Sequence, residues 1–209
     1  AWYSDNGSHG SLPTIAKFES GKKYVYSIML KPKEGYSFSS ETVITVNGEK
    51  VSAPFVGGSM YIPAVKTITM PTLIAIDVVE INDVTVSFKD GDKPVFTGKV
   101  PDGANYAYRC EWWELDSKTG AMSTDFGNFY ENRITAFEAG KTYHYGVYVT
   151  TYGDVGNVRY IFTPDTKLKI NGEFVNYTRY EGDESDGSDG TMWVLTDLTM
   201  TPEAGGTAP

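Results

Sequence analysis

The fold is decided by the stretch FESGKKYVY at residues 18–26, which returns as FEAGKTYHY at residues 137–145. Three shorter blocks follow in the same order in both copies, and this ordered match indicates a duplicated structural module. Repeated small modules of this kind usually act as binding modules or as spacers, and they seldom catalyse reactions. The later matches are GYSF at 35–38 with RYIF at 159–162, VNGE at 46–49 with INGE at 170–173, and Thr-Met at 69–70 with Thr-Met at 199–200.

The pattern within each copy is that of β-strands. Apolar and aromatic residues alternate with other residues along 24–30 and again along 143–149, which places one side-chain set on an inner face. Both copies then reach an Asn-Gly pair, at 47–48 and 171–172, which favours a tight hairpin because both residue types tolerate positive φ. The 15 tyrosines and 22 glycines fit strands and turns better than helices. We predict an all-β protein built from two tandem immunoglobulin-like antiparallel β-sandwich modules.

The two modules are not equally complete. Trp2-Tyr3 matches Trp112-Trp113 at an offset of 110 residues, so two strands predicted at 84–88 and 94–100 have no counterpart in the first copy. A shortened sequence, a permuted arrangement and completion by strands from a partner each explain the gap, since an incomplete sandwich exposes a sheet edge. The predicted organisation is a partial module at 1–71, a short linker at 72–79, a complete module at 80–202 and a linker tail at 203–209.

Charge and composition restrict the classes of partner. The net charge is -9 and no basic patch is visible, which argues against binding to nucleic acid or to an anionic membrane surface. No apolar run approaches the roughly 20 residues of a membrane span. The single cysteine, Cys110, excludes an internal disulfide and is expected to be buried. Both ends of the sequence have the character of interior segments, so we expect a fragment of a longer chain.

The best candidate for ligand binding is the Trp112-Trp113 pair. Adjacent residues on a strand face opposite ways, and the phase of Tyr106, Tyr108 and Cys110 predicts Trp112 inside and Trp113 outside. An exposed indole is a platform for a sugar ring or a protein hot spot, unless the longer loop after it covers the ring. The remaining candidates, which are aromatic residues expected on the outer surface, are Tyr3, Tyr148 and Tyr152.

An acidic, glycine-rich loop at 181–190 is an insertion in the second copy. Carboxylates in such a loop can supply several of the six to eight oxygens that Ca²⁺ prefers, although the spacing is not that of an EF-hand. A solvated turn is the alternative. The candidate calcium ligands are Asp183, Asp186 and Asp189.

Catalysis is not expected. The two histidines, His9 and His144, are not placed with a nucleophile and an orienting carboxylate as acyl transfer requires. The many Asp and Glu residues cluster in turns and do not form the paired carboxylates of a glycosidase.

The pattern F-x-x-G-K-x-Y, followed by G-Y-x-F and V-N-G, resembles modules repeated in large cell-surface and secreted proteins of gut Firmicutes. Here it is carried by Phe18, Gly21, Lys22 and Tyr24, then by residues 35–38 and 45–48, and the second copy departs from it at Arg159. The resemblance implies an immunoglobulin-like fold and an extracellular, surface-attached location in a Gram-positive bacterium. It implies a non-catalytic spacer or adhesive role, with recognition of a host protein such as immunoglobulin, or of carbohydrate through Trp113, as alternatives.

Overall fold

The computed structural model describes residues 2–4, 15–124, 129–179 and 190–204. These residues form an all-β protein with several antiparallel sheets, as the sequence predicts, and none of them lies in a helix. Consequently none of these segments has the long apolar helix needed to cross a membrane. The strands are β1 Trp2–Ser4, β2 Lys23–Leu30, β3 Ile44–Val46, β4 Glu49–Val51, β5 Phe55–Val56, β6 Ser59–Thr69, β7 Thr72–Ala75, β8 Val78–Ile81, β9 Tyr106–Asp116, β10 Thr119–Met122, β11 Asn132–Arg133, β12 Tyr143–Thr151, β13 Asp154–Val155, β14 Val158–Ile161, β15 Lys167–Ile170, β16 Glu173–Val175, β17 Tyr177–Arg179 and β18 Thr191–Met200.

The chain divides into two compact units, one formed by residues 1–73 and 156–158 and the other by residues 74–155 and 159–209. The first unit contains a sheet in the order β1-β2-β6-β5 and the separate hairpin β3-β4. The second contains a sheet in the order β11-β10-β9-β12-β18-β17 and a smaller sheet in the order β16-β15-β8. The order β9-β12-β18-β17 repeats β1-β2-β6-β5, so the duplication seen in the sequence is a duplication of topology.

Each unit packs the same four aromatic rings against one another. In the first unit, ring centroids are 5.4 Å apart for Trp2 and Phe18, 5.2 Å for Trp2 and Tyr26, and 4.9 Å for Phe18 and Tyr24. The corresponding separations in the second unit are 6.3, 5.3 and 4.8 Å. We call each set the aromatic quartet of its unit; that of the second unit consists of Trp113, Phe137, Tyr143 and Tyr145.

The turn that leads into each quartet is also repeated. The Tyr24 hydroxyl accepts a hydrogen bond from the Glu19 amide at 2.7 Å, and the Tyr143 hydroxyl accepts one from the Glu138 amide at 3.1 Å. Gly21 and Gly140 have φ of 71° and 78°, a region that side chains rarely adopt. This turn explains why the F-x-x-G-K-x-Y pattern recurs: the glycine permits the turn, and the phenylalanine and tyrosine join the aromatic quartet.

The quartets also show how the two copies align. Trp2 pairs with Tyr26 and Trp113 pairs with Tyr145 in the β-ladders. Trp2 therefore corresponds to Trp113, and Tyr3, which pairs with Val25, corresponds to Glu114, which pairs with His144. The sequence match of Trp2-Tyr3 to Trp112-Trp113 was displaced by one residue.

The segment predicted as a linker at 72–79 is largely structured. It contains β7 and the beginning of β8, and Ile76 and Val79 are buried in the core of the second unit. Ile76 and Val79 are therefore core residues of the unit that they open, whereas Leu73 and Ile74 are exposed. At the other end, Glu203, assigned by sequence to a tail, forms a bridge with Lys89.

The two strands predicted at 84–88 and 94–100 are not formed. Residues 82–100 belong to no strand and form only isolated bridges, Asn82 with Lys99 and Lys89 with Glu203. Side chains replace the backbone ladder: the Thr97 hydroxyl lies 3.0 Å from the Thr85 amide and 2.8 Å from the Thr85 hydroxyl. The segment nevertheless supplies Val84 and Phe88 to the core.

Candidate functional site

Strand β9 carries the residues on which the binding prediction rested, and the prediction that Trp113 projects outward is wrong. Trp113 is 1% exposed and packs in the main core of the second unit. Its neighbour Trp112 is also buried, but on the opposite face of the sheet, beside Cys110. Cys110 is buried, as predicted.

The cause of the error is a β-bulge. Tyr148 pairs with Cys110 whereas the next residue, Val149, pairs with Tyr108, so Arg109 is an extra residue in β9. Strict alternation of side chains, continued through the bulge, therefore assigns the residues after Arg109 to the wrong faces of the sheet. Tyr106 and Tyr108 pack on the main core, but Cys110 and Trp112 lie on the outer face.

Two carboxylates of β9 are buried, on opposite faces. Glu111, 1% exposed, accepts hydrogen bonds from the Gly98 amide at 2.9 Å and the Tyr145 hydroxyl at 2.6 Å. Glu114 accepts one from the Tyr130 hydroxyl at 2.5 Å. Each carboxylate is thus satisfied by donors that join β9 to neighbouring segments, as buried polar groups require. Glycoside hydrolysis needs two carboxylates that face one cleft, and the two carboxylates of this strand do not share a face.

Three tyrosines that are buried or partly buried, Tyr106, Tyr108 and Tyr145, should make the second unit sensitive to alkali. Burial, together with the nearby Glu111 carboxylate, raises the pKa of Tyr145 well above its usual value of 10.0. Burial also raises the pKa of Tyr106 and Tyr108. A raised pKa in the folded state means that stability is fully present below about pH 10 and is lost as pH rises above the unfolded-state value.

Because of Tyr145, we therefore expect the free energy of unfolding to fall by up to about 1.4 kcal/mol for each pH unit above about pH 10. Urea unfolding of wild type and Tyr145→Phe at several alkaline pH values measures this contribution. The variant should be less stable at neutral pH, because the Glu111 carboxylate loses a donor, but its stability should fall less steeply with pH. Equal slopes would contradict the assignment.

The outer face of the large sheet of the second unit carries a row of aromatic rings. Tyr148 stacks on Trp193 with centroids 5.2 Å apart and an interplanar angle of 27°. Phe129 lies on Trp193 at 5.4 Å and 30°. These three partly buried rings rest on the buried residues Cys110, Trp112 and Tyr130. We call Tyr148, Trp193 and Phe129 the outer aromatic row.

A cleft of about 430 Å³ adjoins one end of the outer aromatic row. Phe129 and Tyr130 line it, together with Met122 and the cationic residues Lys93 and Arg133. Apolar walls with a few polar groups are typical of small-molecule and peptide sites. The cleft and the row together are the candidate ligand-binding surface of the second unit.

Only one of the four predicted aromatic site residues lies on this surface. Tyr148 belongs to the outer aromatic row. Tyr152 is 63% exposed and is not among the residues that pack around the row. Tyr3 is partly buried on β1 in the first unit and pairs with Val25. Trp113, in the core, cannot act as a surface platform.

The predicted calcium ligands Asp183, Asp186 and Asp189 lie outside the described residues. Within the described ranges, no three His, Cys, Asp or Glu side chains come together in a way that could hold a metal ion.

The sequence reasoning missed Trp193, Phe129 and the cleft. Trp193 could have been found, because Met192 and Val194 on either side of it have the inward phase of a strand and the intervening residue must point outward. Phe129 lies outside the alternating segments of the sequence, so no periodicity predicts the face on which its ring lies. The cleft depends on residues from three separated segments, for which the sequence gives no signal.

Comparisons with known proteins add no relative to these observations: no family model, no curated protein and no solved structure matches the chain.

Proposed function

We propose that this chain is a non-catalytic module of an extracellular bacterial surface protein, with a spacer role and an adhesive role. The observation that carries the adhesive role is the outer aromatic row beside the cleft in the second unit. Flat aromatic surface that is partly exposed on a rigid sheet offers contact area at low entropic cost, which is why such residues concentrate in binding sites. The extracellular, surface-attached location is supported by the resemblance to repeated modules of gut Firmicutes.

The non-catalytic part of the proposal is supported by how the buried ionisable groups of β9 are used. Both oxygens of Glu111 accept a hydrogen bond, and Glu114 is held by Tyr130. His144, on β12, pairs with Glu114 in the backbone ladder and is only partly buried. The Glu111 and Glu114 carboxylates therefore hold neighbouring segments together.

Recognition of a host protein is the second candidate, and the lining of the cleft favours it. Lys93 and Arg133 give the cleft two cationic side chains in a chain whose net charge is -9. An apolar centre with charged residues at its rim is the usual composition of a protein interface. Carbohydrate recognition through Trp113 is not retained, because that ring is buried.

Adhesion is tested by presenting the purified chain to a glycan array and, separately, to host serum and mucosal proteins. We expect Trp193→Ala to weaken any binding at least tenfold, since loss of a central interface aromatic commonly costs about 2 kcal/mol or more. Tyr152→Ala is the matched control, because Tyr152 is an exposed aromatic outside the row.

Retention of one ligand class by wild type and by Tyr152→Ala, but not by Trp193→Ala, would support the proposal and identify the class. Circular dichroism of each variant must show an intact fold. If the folded wild type binds neither the glycans nor the host proteins, the spacer role alone is retained. Binding that Trp193→Ala leaves unchanged would contradict the proposed site.

A further inference from the structure

Arg109, the extra residue of the β-bulge in β9, is exposed on the outer face of the large sheet of the second unit. Its Nε donates a hydrogen bond to the Thr150 hydroxyl at 2.7 Å. Thr150 lies on the outer face because Val149, the residue before it, is buried in the core on the other side. The bulge places Arg109 and Cys110 on one face, and bulges often redirect a side chain in this way beside functional sites.

The Arg109 guanidinium is held by a neutral group, which distinguishes it from Arg159 of the same unit. In Arg159, Nε and Nη2 donate to the two carboxylate oxygens of Asp154 at 2.5 and 2.9 Å. Within the described part of the chain, Arg109 forms no such ion pair. Its Nε is fixed by the Thr150 hydroxyl, and its terminal nitrogens carry the paired N–H groups that bind a planar carboxylate through two parallel hydrogen bonds. An exposed, oriented cation in a chain of net charge -9 is a natural point of attachment for an anion.

Aromatic and hydroxyl side chains lie next to this guanidinium. In the ladder between β12 and β18, Thr150 is opposite Thr191. Tyr148 is opposite Trp193 in the same ladder, and the two rings are stacked. Side chains two residues apart on a strand share a face at a spacing of about 7 Å, so the guanidinium that is bonded to Thr150 lies beside these rings. We call Arg109, Thr150, Tyr148 and Trp193 the arginine patch.

The arginine patch lies on inner strands of the sheet, which restricts the kind of ligand that it fits. Each of β9, β12 and β18 has a neighbouring strand on both sides, in the order β11-β10-β9-β12-β18-β17. The backbone groups of these strands are engaged in the ladders, so an extended peptide cannot bind here by strand addition. Recognition depends on side chains: a guanidinium, aromatic surface and the Thr150 hydroxyl, which accepts from Arg109 and has its own proton to donate.

We propose that the arginine patch binds an acidic sugar, whose carboxylate lies on the Arg109 guanidinium. A ring oxygen or hydroxyl of the sugar accepts a hydrogen bond from the Thr150 hydroxyl, and the apolar C–H groups of the sugar contact Tyr148. A carboxylated pyranose, as in sialic and uronic acids, carries these three kinds of group on one ring. The inference rests on the adhesive role proposed above and names the ligand class of that surface.

The test uses the full chain, labelled with ¹⁵N, and four soluble probes: sialyllactose, its methyl ester, a disaccharide that ends in glucuronate, and lactose. We expect at least one of the two carboxylated sugars to cause saturable shifts of the Arg109 Nε–H signal and of the Trp193 indole signal. The ester and lactose lack the negative charge and should cause neither shift. If neither carboxylated sugar binds at about 10 mM, or if the ester binds as well as the acid, the proposal is overturned.

Variants of Arg109 test the role of the guanidinium. Arg109→Gln removes the charge at an exposed position and should weaken binding of the carboxylated sugar at least about tenfold, because charge-assisted hydrogen bonds are lost. Arg109→Lys keeps the charge without the planar fork and should recover only part of the affinity. Lys167→Gln, which removes one charge from β15 in the smaller sheet, is the matched control and should bind as wild type does. Equal affinity for wild type and Arg109→Gln would contradict the proposal.

Further outcomes separate this inference from the adhesive role on which it rests. Loss of acidic-sugar binding in both Trp193→Ala and Arg109→Gln supports both. A glycan or host protein that is lost in Trp193→Ala but kept in Arg109→Gln leaves the adhesive role and overturns the acidic sugar.

Two other occupants of the arginine patch are tested in the same way. Binding of an oligoglutamate peptide in place of the sugars would identify an acidic protein segment as the occupant. A shift of the Arg109 Nε–H signal without any ligand, when the acidic residues of 181–189 are replaced by their amides, would identify the chain's own acidic segment. Either result overturns the proposal.

Discussion

Trp113→Ala is expected to lower the free energy of unfolding of the second unit by about 3–5 kcal/mol, the usual cost of truncating a large buried aromatic side chain. The Trp113 indole contacts Phe88, Phe137 and Tyr145, so its removal leaves a cavity at the centre of the quartet. Surrounding rings cannot fill that space without leaving their own contacts. Urea unfolding followed by near-ultraviolet circular dichroism measures the loss.

The matched control is Trp193→Ala, which removes an indole from the outer face. Trp193 is only partly buried, so the same truncation should cost less than half as much there. A smaller effect at position 113 than at position 193 would mean that the inner ring does not organise the core. Trp113→Phe should recover part of the lost stability.

Gly146→Ala is expected to destabilise the second unit by about 3 kcal/mol, because no space exists for one additional methyl group. A Cβ at Gly146 would lie 2.0 Å from Cε2 and 2.2 Å from Cζ2 of Trp112, whose indole lies against the backbone of β12. The ring must move, and it is already packed against Trp193, with ring centroids 6.2 Å apart. Thermal unfolding of the purified variant measures the effect.

A double-mutant cycle separates this clash from the intrinsic preference of glycine. In a Trp112→Leu background, Gly146→Ala should cost less than about 1 kcal/mol, since the smaller side chain leaves room for the methyl group. A cost of the same size in both backgrounds would show that the backbone of β12, and not the indole, rejects alanine.

The sequence predicted the repeat, the all-β fold and the inner face of the second-unit strand β12 because these follow from local periodicity. Tyr143, Tyr145, Val147 and Val149 all enter the core as the alternation indicates. The Asn-Gly turns also form where expected, with φ near 50° at each asparagine. Regular alternation and turn chemistry are local properties, and they survive in the folded chain.

The errors arise where a ladder is irregular. One extra residue at Arg109 reversed the inferred faces of Trp112 and Trp113 and so misplaced the binding site. The closing Thr-Met blocks are also out of structural register by two residues, since Tyr24 pairs with Ile68 whereas Tyr143 pairs with Met200. No particular residue type marks the position of the bulge in these strands, so the alternation of apolar residues alone could not predict it.

The parallel pairing of β8 with β15 has a consequence for the order in which the second unit folds. Val78 on β8 pairs with Lys167, and the amide of Glu203 donates to the Phe88 carbonyl, so β8 and the segment after it are held by segments that are synthesised much later. Contacts between residues so distant in sequence slow folding, because the entropy of closing the long loop is lost before the contacts stabilise the chain. During synthesis β8 emerges with its apolar face unprotected, and that interval is when the nascent chain is most prone to mispairing and aggregation.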